Sequence, residues 1–319
     1  MTDLKMSVIV PVYNEADYIG ETLDSIIHQN FESYEIIVIN NGSTDNSLEI
    51  INEKLSKSDL PHKIISKSNN GVGSARNLGI DESNGEYIVF VDGDDYIHPN
   101  HLSLLYNAGY DFSLIQLVKN YNGEIISKPH FYDEKVLSTA EFIRLELNMK
   151  IPFNFVQLSY KRDIIVNNNL RFNLDVNYGE DTEFALKALI YGENIKISNE
   201  TTYFYVQHPS SLSSSSRLKR FDFICVLDNL ADFYTKQGYT ELSRLIHTSR
   251  IPKAIFGNMN YLFYNGCDYD KVINRMEELS LFEKLSHYRG DLKFSLKIKL
   301  FLFSPKLYYK LWRKFKNSI

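Results

Sequence analysis

Cysteine is scarce in this sequence, which contains only Cys225 and Cys267. The two lie far apart and form no CxxC pair, so the sequence indicates neither a disulfide framework nor a thiolate zinc site. No apolar run has the length of a membrane span. The run that ends at Pro11 is too short for a secretory signal. These absences together predict a cytoplasmic protein.

A net positive charge is also missing. The chain has 35 Lys and Arg against 40 Asp and Glu, a formal net charge of -5. Binding of nucleic acid therefore has no electrostatic support over the whole chain. Its 319 residues are 44% hydrophobic and 24% charged, which is enough for one well-buried α/β domain with an extension. Chemistry on small molecules is the favoured class.

Short β-branched runs alternate with helical periodicity in the first hundred residues, which predicts a parallel, doubly wound sheet. The predicted strands are 7–12, 35–39, 63–66 and 87–91, and the predicted helices between them include 15–29 and 45–55. From about 110 to 210 the pattern is mixed, with predicted strands at 113–118, 155–160 and 201–206 and a helix at about 181–191. After the polar run at 213–216 the pattern is helical. We expect a domain at 1–215, in halves 1–110 and 111–215, and a helical region at 216–319.

Ligands of such sheets bind beyond the carboxyl ends of the strands, so the residues there are the candidates for chemistry. Loops that open a helix offer free N–H groups to a nucleotide, although each of the first two loops by itself is more typical of a turn or a capping cluster. The third of these loops lacks the GxGxxG spacing of dinucleotide-binding folds. The candidates in the three loops are Pro11, Val12, Tyr13 and Glu15, then Asn41, then Asn70 and Arg76.

The fourth predicted strand ends in Asp92-Gly93-Asp94-Asp95, which places three carboxylates within four residues. Such crowding is tolerable if a divalent cation and a diphosphate share the site. Hard oxygen ligands suit Mg²⁺ or Mn²⁺ better than zinc. The alternative is an acidic turn at the surface.

In the order and spacing of its motifs the chain resembles the family 2 glycosyltransferases, which have the GT-A fold, over residues 6 to about 210. The resemblance is carried by Pro11-Val12-Tyr13-Asn14-Glu15, Asn41-Gly42-Ser43-Thr44-Asp45, Asn70 with Ala75-Arg76-Asn77, Asp92-Gly93-Asp94, and Tyr178-Gly179-Glu180-Asp181. It implies an inverting, metal-dependent enzyme with a Rossmann-like, mostly parallel sheet. Residues 1–110 would then bind a nucleotide-diphosphate sugar and 111–215 the acceptor.

The same resemblance implies roles for individual residues. The nucleotide-sugar site would comprise Pro11, Val12, Tyr13, Glu15, Asn41, Asn70, Arg76, Asp92 and Gly93. Asp94, with Asp92, would bind the Mn²⁺ or Mg²⁺ that bridges the diphosphate, and Asp181 would be the catalytic base, assisted by Glu180. His208 is similar to a residue that completes the metal shell, but a lone loop histidine is an equally good description. Asp181 could equally cap a helix.

Three departures from the family pattern change what is expected. Asn41 stands where the family usually has a carboxylate, and an amide both donates and accepts, so uracil is the expected base on weaker grounds. The Gln-x-x-Arg-Trp element and the transmembrane segments of processive synthases are absent, which implies transfer of one sugar, a hexose or an N-acetylhexosamine, per encounter. The expected acceptor is a glycan or lipid-linked intermediate of surface polysaccharide, lipopolysaccharide or teichoic acid.

Two other classes compete with this interpretation. A sugar-phosphate nucleotidyltransferase would need a glycine-rich, basic phosphate loop after the first strand, where this chain has Tyr13-Asn14-Glu15-Ala16. A non-catalytic sugar-nucleotide-binding protein is disfavoured because Asp92, Asp94 and Asp181 are intact.

The C-terminal tail has a composition of its own. Residues 293–319 contain eight Lys or Arg and no Asp or Glu, interleaved with apolar and aromatic residues and interrupted at Ser304-Pro305. This is typical of interfacial helices, and it predicts contact with the inner face of a membrane. The alternative is a helical hairpin packed on the domain or on a second subunit of a homo-oligomer.

Overall fold

The computed structural model describes residues 4–121, 123–129, 135–176, 178–207 and 217–315. They form two compact units. The first unit comprises the described residues within 1–143, 152–175 and 180–211, and the second those within 144–151, 176–179 and 212–319. The predicted boundary near 215 lies outside the described residues. The second unit also recruits two short segments that the sequence pattern did not single out.

The first unit is built on one mixed sheet, with the strand order β3-β2-β1-β4-β9-β6-β10-β5, and with β7 paired to β6 and β8 to β10. Strands β1 to β4 are mutually parallel where they pair, β9 lies antiparallel between β4 and β6, and β6 and β10 are parallel. The strands are β1 (Met6–Val12), β2 (Tyr34–Asn40), β3 (His62–Ser66), β4 (Tyr87–Phe90), β5 (Tyr96–Ile97), β6 (Phe112–Tyr121), β7 (Glu124–Ile125), β8 (Lys135–Ser138), β9 (Leu158–Lys161) and β10 (Asn194–Val206).

The helices connect these strands and form the C-terminal part of the chain. They are α1 (Ile19–Ile27), α2 (Ser47–Leu55), α3 (Val72–Glu82), α4 (His101–Leu105), α5 (Thr139–Leu147), α6 (Arg162–Asn167), α7 (Glu180–Leu189), α8 (Phe223–Lys236), α9 (Thr240–Leu245), α10 (Ile251–Tyr264), α11 (Tyr269–Glu278), α12 (Leu281–Ser286), α13 (Leu292–Phe303) and α14 (Pro305–Phe315). The expected α/β fold with a helical C-terminal region is therefore confirmed.

The core explains why the first four strands were readable from the sequence. Every residue of β1, β2 and β4 is buried, as expected for parallel strands that are covered on both faces. Such strands are continuous β-branched and aromatic runs, and these runs predicted their positions to within about two residues.

One predicted strand was wrong at its start. Residues 155–160 were expected to be extended throughout, but Phe155–Gln157 forms a 3-10 turn before β9 begins at Leu158. The reason is local capping. Asn154 Oδ1 accepts a hydrogen bond from Val156 N (3.4 Å), and Gln157 Oε1 accepts one from Asn154 N (2.7 Å). This reciprocal pair winds the chain into a turn.

The second unit has its own buried centre, which contains an ion pair. Arg250 Nη2 lies 3.1 Å from Glu146 Oε1, and both side chains are nearly excluded from solvent. The predicted interruption of the tail at Ser304-Pro305 is confirmed, because α13 ends at Phe303 and α14 begins at Pro305. Among the described helices, none is long and apolar enough to cross a membrane.

Candidate active site

The loops after β1 and β2 are joined by hydrogen bonds into one surface. Asn14 adopts a left-handed conformation (φ 56°), and its Oδ1 accepts from Thr44 N at 2.8 Å. Ser43 Oγ accepts from Asn14 N at 3.1 Å, and Asp45 Oδ2 accepts from Ala16 N at 3.0 Å. The polar residues of the second loop therefore fix the shape of the first, which is a structural role that each motif alone did not reveal.

The predicted nucleotide-binding residues of the first loop differ in their accessibility. Pro11 and Val12 are buried, and Val12 O accepts from Asn41 N at 2.8 Å. Tyr13 is 45% exposed. Of these three residues, Tyr13 thus has the side chain that is accessible to a ligand. Pro11 and Val12 are buried at the end of β1 and support the loop that follows.

Asn41 is buried at the end of β2 and makes contacts with both ends of its amide. Its Nδ2 donates to Asn69 Oδ1 (3.1 Å) and Gly71 O (3.2 Å). Its Oδ1 accepts from Lys67 Nζ (3.3 Å) and from Asn70 N (3.4 Å). These bonds fix the orientation of the amide and join the ends of β2 and β3. The side chain of Asn70 is exposed beside this corner.

The turn after β4 separates its three carboxylates into different environments. Asp95 is buried, and it accepts from Tyr203 Oη at 2.7 Å and from Val206 N at 2.8 Å. Burial and the neighbouring carboxylates Asp94 and Asp92 raise its pKa well above the ordinary value. Tyr203 Oη also accepts from Asp92 N at 3.2 Å. Asp95 therefore anchors the turn to β10, while Asp92 and Asp94 remain partly exposed.

Gly93 allows this turn to approach the first loop closely. A Cβ at Gly93 would lie 3.0 Å from Pro11 O and 3.3 Å from Val12 Cγ2, which is tighter than ordinary contact. Gly93 O accepts from Thr22 Oγ1 at 3.0 Å. The glycine is buried, so its role in this structure is to permit the close approach.

Glu15 lies where negative charge accumulates. Its pKa is raised to about 8, first by burial and then by Asp94, Asp92 and Asp45. Like charges disfavour ionisation, and a bound cation would offset them. A cavity of about 200 Å³ opens beside Asp94, and it is lined by Tyr18, Glu21, Thr22, Asp94, Asp95, Tyr96, Asn120, Gly123, Val206 and Gln207.

Arg76 connects the turn after β4 with the start of α7. It is 5% exposed; its Nη2 donates to Asp92 Oδ1 at 2.8 Å, and its Nη1 to Glu180 Oε1 at 3.4 Å. The guanidinium lies 4.4 Å from the ring centre of Phe155 and 5.3 Å from that of Phe172. The structure thus gives Arg76 a positioning contact with two of the predicted site carboxylates.

Glu180 and Asp181 occupy the first turn of α7. Burial raises the pKa of Glu180, the carboxylate of Asp181 raises it further, and Arg76 opposes both effects. Asp181 Oδ1 accepts from Thr182 N at 2.6 Å. Because α7 begins at Glu180, Asp181 lies one residue inside the helix, whereas a capping residue precedes the first helical residue. The capping alternative for Asp181 therefore loses support.

The fit of a metal ion depends on few protein ligands. Within the described ranges, no group of three or more His, Cys, Asp or Glu side chains is arranged to hold a metal. His208 lies outside the described residues. Mg²⁺ characteristically takes one or two carboxylates and completes its shell with substrate phosphates and water. The carboxylates of Asp92 and Asp94 are partly exposed, and their charges contribute to the raised pKa of Glu15. Two such carboxylates fit that mode of binding.

Three structural supports of the site were not predicted from the sequence: Lys67 at Asn41, Tyr203 at Asp95, and the Phe155–Phe172 pair at Arg76. Lys67 directly follows β3, so the strand-end rule could have found it. The other two come from distant strands and loops, and nothing in the local pattern marks them.

The fold is that of the GT-A glycosyltransferases. The structure resembles the crystal structure of S. aureus TarS 1-349 in complex with UDP, with a TM-score of 0.57, 26% sequence identity, and coverage of 72% of this chain and 64% of that one. The model of glycosyl transferase family 2 matches residues 7–152. Residues 7–152 therefore belong to this family.

Curated relatives are consistent with that membership. The uncharacterized glycosyltransferase EpsJ of Bacillus subtilis is 32% identical over 217 residues, which cover 65% of this chain and 62% of EpsJ. The poly(ribitol-phosphate) beta-glucosyltransferase of Bacillus spizizenii is 34% identical over 211 residues, which cover 64% of this chain and 32% of the relative. The chain thus matches less than two thirds of the length of these relatives.

Proposed function

We propose that the chain is an inverting glycosyltransferase that transfers one sugar from a UDP-sugar to an acceptor hydroxyl and uses Mn²⁺ or Mg²⁺. The observation that carries the proposal is the convergence of Asp92, Glu15 and Glu180 around strand ends, with Arg76 linking two of them. Charge crowding of this kind is costly in a protein without a cationic or polyphosphate ligand. Structural similarity to TarS bound to UDP supports a uridine nucleotide.

The residues divide the chemistry between two sides. In inverting transfer the acceptor oxygen bonds to the anomeric carbon while the bond from that carbon to the diphosphate breaks, and the acceptor loses its proton. Asp181, in the first turn of α7, receives that proton. The diphosphate leaves with the electron pair. A divalent cation at Asp94 and Asp92 would supply the neutralisation of that developing charge.

The acceptor belongs to the same proposal. A relative acts on poly(ribitol-phosphate), as its name states, which supports a glycan or lipid-linked acceptor in surface polysaccharide, lipopolysaccharide or teichoic acid synthesis. The transferred group would be a hexosyl or N-acetylhexosaminyl unit. Such an acceptor would be reached from the cytoplasmic side.

The decisive variant is Asp94→Ala. We expect transfer from a UDP-sugar in Mn²⁺ to fall by about a thousandfold or more, because neutralisation at the leaving diphosphate contributes several kcal/mol. Release of UDP measured against a panel of acceptors, with donor affinity from calorimetry, checks this. Asp59→Ala, an exposed carboxylate remote in sequence from every motif, is the matched control and should retain full activity. Undiminished transfer by Asp94→Ala in EDTA would refute the metal-dependent proposal.

The same assay separates the competing classes. Incubation with a sugar phosphate and UTP releases pyrophosphate only if the chain is a nucleotidyltransferase. A non-catalytic binding protein would bind UDP-sugar, and binding would raise its melting temperature, but it would release no UDP with any acceptor.

A further inference from the structure

The last two helices of the second unit present large apolar side chains to solvent. Exposure in this group ranges from 38% to 85%. Its members are Leu292, Leu296 and Phe303 in α13 and Leu307, Leu311 and Phe315 in α14. In α13 they recur at i, i+4 and i+11, and in α14 at i, i+4 and i+8, so each set lies on one side of its helix. We call these two sets the apolar stripes.

The other side of each helix is packed against the second unit. The Phe301 ring lies 5.6 Å from that of Phe256 and 5.5 Å from that of Phe282. Trp312 lies 5.7 Å from Phe263 between ring centres. The hairpin is therefore a folded part of this unit, as the packed-hairpin alternative expected, and yet the apolar stripes stay outside that packing.

Charge of one sign surrounds the stripes. From Leu292 to Phe315 there are seven cations and no Asp or Glu: Lys293, Lys297, Lys299, Lys306, Lys310, Arg313 and Lys314. Lys299 falls on the helical face of Leu292, Leu296 and Phe303, and Lys314 on that of Leu307, Leu311 and Phe315. Long basic side chains that flank apolar ones can extend to phosphate groups while their stems stay in an apolar layer.

We propose that the α13–α14 hairpin docks on an anionic lipid surface. A second copy of the chain fits less well, because a two-fold interface would bring the same surface of each subunit together and place these cations opposite one another. Anionic headgroups complement the cations, and the acyl boundary accepts the apolar stripes. This inference goes beyond the proposed function and does not depend on it.

The dimensions fit helices that lie in the interface. The helices have 12 and 11 residues, which correspond to lengths of about 18 and 16 Å. A bilayer core of about 30 Å is too thick for either to span. Helices that lie in the headgroup region are not defined by their length, so both can lie there.

Flotation of the full chain with vesicles tests the proposal. We expect binding to vesicles that contain phosphatidylglycerol and little binding to phosphatidylcholine alone. Binding should weaken at about 1 M salt, where the Debye length is about 3 Å. The triple variant Leu307→Ser/Leu311→Ser/Phe315→Ser should lose about tenfold or more in partitioning, as should Lys306→Glu/Lys310→Glu/Lys314→Glu.

Matched controls keep the outcome specific. Tyr264→Ser removes an apolar side chain that is 70% exposed elsewhere in the second unit. Lys219→Glu/Lys236→Glu/Lys271→Glu makes the same charge change at exposed sites outside the hairpin. Both should bind vesicles like the parent chain, and all variants should keep its melting temperature.

Three results would overturn the proposal. The parent chain could stay unbound, or the control charge variant could lose as much binding as the hairpin variant. Size-exclusion chromatography without lipid could instead show a dimer that the serine triple variant dissociates, which would make a second copy the occupant. UDP affinity is measured on the same proteins without lipid, so failure of this inference is distinguishable from failure of the proposed function.

Discussion

Two arginines with little exposed side-chain surface, one in each unit, show how differently this chain uses charge. In the second unit, Arg250 pairs with Glu146, whose side chain is only 7% exposed. In the first, Arg76 pairs with Asp92 and Glu180, whose side chains are 24% and 16% exposed. We call the Arg250–Glu146 pair closed, because the carboxylate has almost no contact with solvent. We call the pairs of Arg76 open, because Asp92 and Glu180 stay partly accessible to solvent. The two pairs differ most clearly in the exposure of the partner carboxylates.

The causes of the pKa shifts reinforce this difference. Burial raises the pKa of Glu146, and Arg250 opposes that rise. Burial also raises the pKa of Glu180, but there a second carboxylate, Asp181, adds to the rise. Adjacent acids cost stability, and the chain accepts that cost at the candidate site.

The largest expected effect comes from breaking the closed pair. Arg250→Met should lower the free energy of unfolding by about 3–5 kcal/mol, because it leaves Glu146 buried without its charge partner. Arg76→Met should lower it by less, since Asp92 and Glu180 can be hydrated from their exposed sides. Urea unfolding at pH 7 measures both.

Activity should show the reverse order. Arg76→Met should reduce transfer per folded molecule at least tenfold, because the variant loses a charge-assisted hydrogen bond that positions the carboxylates of the candidate site. Arg250→Met, assayed well below its melting temperature, should transfer normally. If the two variants lose equal stability and Arg76→Met keeps its turnover, the distinction between open and closed pairs is wrong.

A second comparison lies within the candidate active site, between the neighbouring residues Asp181 and Glu180. Asp181→Asn should preserve the fold and the donor affinity but lower turnover by about a hundredfold or more, the usual contribution of a positioned base. Glu180→Gln should lose less, since that residue is assigned only positioning or electrostatics. Transfer rate, UDP-sugar affinity and melting temperature are measured on the same preparations. Near-native turnover of Asp181→Asn would remove it as the base.

The sequence predicted what local patterns encode. Strand positions in the first hundred residues follow from β-branched runs, and the candidates that follow the first four strands come from the rule that ligands bind at strand ends. Glu180 and Asp181 came from the family resemblance instead. The pattern could not predict that Asp95 would anchor the turn through Tyr203, because that contact joins residues 108 positions apart. The 3-10 turn at Phe155–Gln157 was missed because a side-chain cap overrode an apolar run.

The placement of Arg76 was equally out of reach. Its spacing in the third loop indicated a residue facing the nucleotide, but the rings of Phe155 and Phe172 and two distant carboxylates form a buried site around its guanidinium. Only the tertiary structure brings these four groups together. The family resemblance singled out Arg76, and the structure changes what this residue is expected to do.

The smallest expected effect tests whether the candidate active site tolerates one more negative charge, at position 41. In Asn41→Asp a carboxylate oxygen replaces the amide nitrogen that donates to Asn69 Oδ1 and Gly71 O, so two hydrogen bonds become contacts between acceptors. Lys67 Nζ, 3.3 Å from Oδ1, can pair with the new charge and offset part of that loss. We therefore expect a decrease of about 1 kcal/mol in the free energy of unfolding.

The consequence for binding separates two roles of Asn41. Uracil presents an imide N–H that a carboxylate can accept, whereas the corresponding cytosine nitrogen is an acceptor that a carboxylate would repel. If residue 41 contacts the base, Asn41→Asp should raise the preference for UDP over CDP by up to about tenfold, equivalent to about 1.4 kcal/mol. Calorimetry with both nucleotides measures this ratio. Asn69→Asp adds the same charge at an exposed neighbour and should leave the ratio unchanged. If the ratio is also unchanged in Asn41→Asp, Asn41 does not select the base. Its role would then be structural, namely to hold the ends of β2 and β3 together.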